Sequence, residues 1–107
     1  METNRTYYRP IWTCGRYDER AQVAIYYNLI AGMSYYFESF SAQVIGMILS
    51  VDRNGKVDIN EISSKLNISI ESLEPFFKQL EEQGIVSSVY PDKNIISDYR
   101  KRVSEYH

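Results

Sequence analysis

The chain has 107 residues, with 12 Lys/Arg against 14 Asp/Glu and a formal net charge of −2. That length suits one domain with its own core, and a charge so near zero sets up no long-range field that would draw nucleic acid or an acidic membrane. One cysteine, Cys14, excludes an intramolecular disulfide. With no signal-peptide pattern and no run approaching ~20 apolar residues, the expectation is a cytoplasmic protein with no membrane partner.

Three short strands are expected first. Ile11–Cys14 follows Pro10, as an edge strand can. Val23–Tyr27 is rich in β formers and puts Val23, Ile25 and Tyr27 on one face. Asn28–Gly32 then turns, with Gly32 free to take a positive φ, and Met33–Phe37 returns. Asp18, Glu19 and Arg20 connect the first two strands. Several of the ten tyrosines are paired (Tyr7-Tyr8, Tyr26-Tyr27, Tyr35-Tyr36), and such pairs favour half-buried pleated surfaces.

Helical spacing begins after Phe37. Phe40, Val44, Met47 and Ile48 form one stripe of a helix ending near Leu49, with a cap at Glu38, Ser39 or Ser41. Asp52–Gly55 is a turn. Asp58 offers the next N-cap, with Glu61 completing a capping box, and Ile59, Ile62 and Leu66 point inward. Asn67 can take a left-handed stop and Ser69 can cap a third helix with the stripe Ile70, Leu73, Phe77 and Leu80, closed by Gly84. Pro75 leaves two readings: an early start at Ile70 with a kink, or a later start capped by Ser72. In the tail, Ile96, Tyr99, Val103 and Tyr106 have the spacing of a fourth amphipathic helix. The order is that of an α+β, winged helix-turn-helix-like domain over residues 1–88, followed by a tail over 89–107.

Catalytic parts are scarce. His107 is the sole histidine, Cys14 has no histidine partner in the domain, and no Cys/His spacing fits a metal. No enzyme, metal or cofactor is expected. The third helix also lacks the charge of a DNA-reading helix. Glu71, Glu74, Glu81 and Glu82 face one Lys78, whereas groove binding draws its affinity from Lys and Arg.

The aromatic third strand, the helix opening Phe37-Glu38-Ser39-Phe40-Ser41-Ala42-Gln43-Val44-Ile45, Asp52…Gly55, Asp58-Ile59-Asn60-Glu61-Ile62 and Leu73…Phe76-Phe77…Leu80…Gly84-Ile85-Val86 resemble the PqqD-like family. Members are recognition elements for ribosomal precursor peptides, and the likeness covers roughly residues 9 to 88. It implies a non-catalytic module that captures a leader peptide by strand addition at Met33, Ser34, Tyr35, Tyr36 and Phe37. The leader then lies in a cleft against Ser72, Phe76 and Gln79 and is presented to a separate modifying enzyme, of the radical SAM type in one version. Two other readings remain: a DNA-binding transcription regulator, and a structural interaction domain that homo-oligomerises through its tail.

Overall fold

The computed structural model describes residues 6–91 together with Ser97 and Lys101. Its elements run β1 (Tyr7–Tyr8), β2 (Thr13–Asp18), β3 (Val23–Asn28), β4 (Met33–Glu38), α1 (Ser39–Leu49), β5 (Lys56–Val57), α2 (Ile59–Leu66) and α3 (Ile70–Glu82). Strands β2, β3 and β4 form an antiparallel meander in that order, and β1 pairs with β5 in a second small sheet. The α+β class, with a three-stranded sheet ahead of three helices, is therefore as expected. The tail stripe from Ile96 to Tyr106 lies outside the described residues. No helix among the described residues is long and apolar enough to cross a membrane.

The first strand starts later than expected. Thr13 donates both its N–H and its hydroxyl to the Pro10 carbonyl, which holds Ile11 and Trp12 in a turn. Asp18 thereby becomes the last residue of β2, not part of the connection. The strands β1 and β5 had no periodicity long enough to announce them. Their pairing, Tyr7 with Val57 and Tyr8 with Lys56, is reinforced by a bridge from Tyr8 to Ser87.

In β3 the face carrying Val23, Ile25 and Tyr27 is the outer one, and Ala24, Tyr26 and Asn28 are buried. Two polar residues can face inward because each finds partners. The Tyr26 hydroxyl lies 3.0 Å from Thr13 Oγ1, and Asn28 bonds at both ends of its amide. Burial pushes the Tyr26 phenol up from its ordinary range, partly offset by the Thr13 bond and by Arg9.

Helix α1 packs across all three strands of the meander. Its buried residues are Ala42, Val44, Ile45 and Ile48. Phe40, expected inside, is 64% exposed. The helix approaches β2 closely at Gly46, where a methyl would come within 2.5 Å of the Tyr17 ring. Glu38 is the N-cap but makes no side-chain bond, and the C-terminus is held by Arg9, whose Nη1 donates to the Leu49 and Val51 carbonyls at 3.0 and 2.6 Å. The other helices end as their sequences suggest. Asp58 accepts from the Asn60 and Glu61 N–H groups, and Asn67 sits at φ 55°. Glu61 does not close the capping box; its carboxylate is 3.9 Å from Lys65. Ser69 accepts from the Ser72 N–H, so α3 starts at Ile70 with Pro75 inside it.

Candidate functional site

β4 is one of the two outer strands of the meander, β2 being the other. Its register with β3 is continuous, from Val23 opposite Glu38 to Asn28 opposite Met33, with no bulge. One pair further on, the Ser39 N–H donates to the Gln22 carbonyl at 2.9 Å. Bonded and non-bonded pairs alternate in an antiparallel ladder. Met33, Tyr35 and Phe37 therefore spend their main-chain groups on β3. Ser34, Tyr36 and Glu38 turn theirs to the open side, where no strand pairs with β4 among the described residues.

The side chains separate the same way. Phe37 is buried and Tyr35 half-buried on the inner face, while Met33 at the strand's start is 50% exposed. Ser34, Tyr36 and Glu38 are exposed on the outer face. The site residues anticipated on β4 thus divide between two faces. Ser34 and Tyr36 offer backbone to the edge and side chains to the outer surface, not to a cleft.

Across from β4, α3 buries Leu73, Phe77 and Leu80. Helical spacing puts Ser72, Phe76 and Gln79 along one flank of that stripe, and Glu74, Lys78 and Glu81 along the other. The Phe76 ring meets Phe37 edge-on at 6.1 Å, which turns the uncharged flank toward β4. Phe76 also meets Phe77 at 6.3 Å, so it is a half-buried wall joined to the core. Ser72 and Gln79 are exposed, and Ser72 is held by the Ser69 hydroxyl at 3.0 Å. Glu81, on the far flank, accepts from the Ser88 N–H and hydroxyl.

Two buried donors fix where α3 ends. Trp12 Nε1 donates to the Gly84 carbonyl at 3.2 Å, and Asn28 Nδ2 to the Gln83 carbonyl at 3.1 Å. Asn28 Oδ1 meanwhile accepts from the Ile30 and Ala31 N–H groups, both at 3.1 Å, shaping the β3–β4 turn. Gly84 adopts φ 76°, letting the Ile85 N–H reach back to the Leu80 carbonyl. From Phe76 to Gln83 the helix rises ~10 Å, and from Phe37 to Met33 the strand spans ~13 Å. Phe37 meets Phe76 at one end of that span, and at the other Asn28, the β3 neighbour of Met33, bonds Gln83, so the strand and the helix run in opposite directions.

The roles of Trp12 and Asn28 were not foreseen. Asn28 reads as an ordinary turn residue, and nothing local reveals a helix end 55 residues away. Cys14 lies half-buried on the outer face of β2. Among the described residues, no three His, Cys, Asp or Glu side chains cluster as metal ligands. No protein-family model, curated protein or solved structure matches the chain.

Proposed function

We propose that the domain captures an extended peptide as an added strand on β4 and hands it to a separate modifying enzyme, taking no chemical part itself. The observation that carries this reading is the open edge. Ser34 and Tyr36 offer two donors and two acceptors to a guest strand beside an uncharged wall of Met33, Tyr35, Phe37 and Phe76. Main-chain bonds of that kind supply affinity, and alternate pockets supply selectivity. The resemblance to PqqD-like recognition elements makes a precursor leader the guest, a radical-type maturase the partner and the cytoplasm the setting.

The test uses fluorescein-labelled synthetic N-terminal segments of the short reading frames adjacent in the genome, titrated with the domain by fluorescence polarisation. Saturable binding by one of them, lost on Ser34→Pro, is the expected result. A domain that ignores every such segment refutes the reading. A labelled DNA duplex in the same assay should show only weak, sequence-independent binding, because residues 70–83 carry four glutamates against one lysine.

A further inference from the structure

Residues 92–107 follow Pro91, which is buried, and their described members Ser97 and Lys101 are both helical and exposed. At ~100° per residue these two positions lie opposite the sequence stripe Ile96, Tyr99, Val103 and Tyr106. A helix of about 11 residues is marginal alone in water, so it persists only where its apolar stripe is covered. We infer that this stripe docks in cis on the inner face of β4 beside α3, covering the wall of Met33, Tyr35 and Phe76.

Contacts, reach and charge select that place. Trp12, Asn28 and Tyr35 each have a partner besides those described above. Trp12 and Asn28 stand where α3 ends, and Tyr35 is two residues from Met33, the β4 neighbour of Asn28. Tyr35 also fixes the face, because Ser34 and Tyr36 on either side of it point the other way. Tyr35 and Phe76 are half-buried and Met33 is 50% exposed, so the wall has apolar surface left to cover. The tail departs beside α3: Tyr90 meets Tyr8 edge-on at 5.5 Å, and the adjacent Tyr7 lies 5.0 Å from Phe77. From there residues 92–95 reach at most ~14 Å, and residues 96–106 as a helix run ~16 Å, against the ~10–13 Å of the wall. Arg100 and Arg102 flank the stripe, while Asp98 and Glu105 share the far side with Ser97 and Lys101. The cations therefore lie nearest α3, where Glu71 and Glu82 border the line of Ser72 and Gln79.

The docked tail stands on these contacts and on its own sequence pattern. Its consequence, that the tail shields the wall until a leader displaces it, rests on the capture reading above. A tail docked nine-tenths of the time would weaken leader binding about tenfold.

Amide exchange of the unaltered chain gives the first readout. Amides from Tyr99 to Val103 should exchange at least about tenfold slower than random coil, and a tail that exchanges at the coil rate overturns the proposal. Tyr99→Ser combined with Val103→Ser strips the stripe. It should abolish that protection and red-shift the emission of Trp12, the sole tryptophan. Hydroxyl-radical labelling of Tyr35 and Phe76 should rise in step. Among the described residues the buried core runs from Tyr7 to Val86, and circular dichroism checks that the variant keeps its fold. Ser97→Ala, on the outward side, should leave every readout at the parent's value. A stripe variant with the parent's Trp12 emission and labelling overturns the proposal, as does a Ser97→Ala that changes them equally. Protection that fades on dilution, as a dimer parts in sedimentation velocity, would put a second copy on the wall and also overturn it. Tighter binding of a labelled N-terminal segment by the stripe variant supports the docked tail and the capture reading together. Segment binding by a chain whose tail is unprotected sinks the docking alone. A docked tail on a domain that binds no segment, with or without the stripe, sinks the capture reading alone.

Discussion

Replacing Asn28 with Ala strips the link between the hairpin turn and the end of α3 while leaving the hydrophobic core untouched. Asn28 is fully buried. The change orphans the Gln83 carbonyl, which accepts at 3.1 Å, and the Ile30 and Ala31 N–H groups, which both donate to Oδ1. An unsatisfied buried acceptor costs ~1–3 kcal/mol and each lost turn bond ~0.5–1.5 kcal/mol where water cannot replace it. The turn is only part-buried, so water recovers some of that, and the expected loss is ~2–4 kcal/mol. For a domain of about this size it corresponds to a fall in Tm of ~10–25 °C. Urea unfolding followed by far-UV circular dichroism measures it. Asn28→Asp supplies a sharper control. Its carboxylate still accepts from the turn but meets the Gln83 carbonyl, so burial beside that oxygen raises its folded pKa above the unfolded ~3.9. The protonated form can donate to Gln83. Stability of Asn28→Asp should therefore be greatest below pH ~4 and fall as pH rises through the folded pKa. Asn28→Ala should show no such additional slope relative to the parent. A loss under ~1 kcal/mol for Asn28→Ala, or parallel pH profiles for the two variants, would refute the clamp.

Phe76→Ala removes the ring facing Phe37, and Ser34→Pro removes an outward donor; each should weaken leader capture at least about tenfold in the polarisation assay, while Glu82→Ala changes little. Tyr35→Pro, which breaks a bond to β3 instead, should unfold the hairpin before it reports on binding. Among the described residues the hydroxyl of wholly buried Tyr7 has no hydrogen-bond partner, and its ring lies 5.0 Å from Phe77. Tyr7→Phe should therefore be neutral or stabilising by ~1 kcal/mol in urea, and a loss above that would mean the hydroxyl is bonded. Because burial raises the Tyr26 phenol above its unfolded value near 10, its contribution is complete below pH ~10 and is lost as pH climbs toward the folded value. Tyr26→Phe should flatten that alkaline fall, at the cost of the Thr13 bond; an unchanged slope between pH ~9 and ~11 would put the effect elsewhere.

Residues with local causes were legible in advance. Asp58 and Ser69 cap their helices through bonds two or three residues away, and Asn67 and Gly32 take positive φ where a stop and a turn needed them. Faces were harder. Val44 and Ile48 of the first helix stripe are buried, yet Phe40 of the same stripe and the alternation Val23-Ile25-Tyr27 lie outside because burial is decided by what arrives from elsewhere. Thr13 satisfies Tyr26, the turn and Gln83 satisfy Asn28, and Gly46 lets α1 settle on Tyr17. A period names the residues that share a face; it does not say which face is covered. The candidate site divided the same way. Met33, Tyr35 and Phe37 share the inner face, whereas the separate standing of Ser34 and Tyr36 needed the hydrogen-bond phase of the β3–β4 ladder.

The double tether of Trp12 and Asn28 onto Gly84 and Gln83 also has a mechanical side. A gap between a strand and a helix usually breathes at its looser end, and a guest slips in there. Here the hairpin tip and the last turn of α3 are tied by buried donors, and the other end is closed by Phe37 against Phe76. The end of α3 and the β3–β4 hairpin are therefore held at two separate points. On the capture reading proposed above, a guest strand would meet β4 with little ordering of the host left to do on contact. Removing the Trp12 bond, as Trp12→Phe would, should leave the two elements in place on average but let them move. That would show first as faster exchange at the Ile85 amide, which bonds back to Leu80 at the pinned end, and only afterwards as weaker binding.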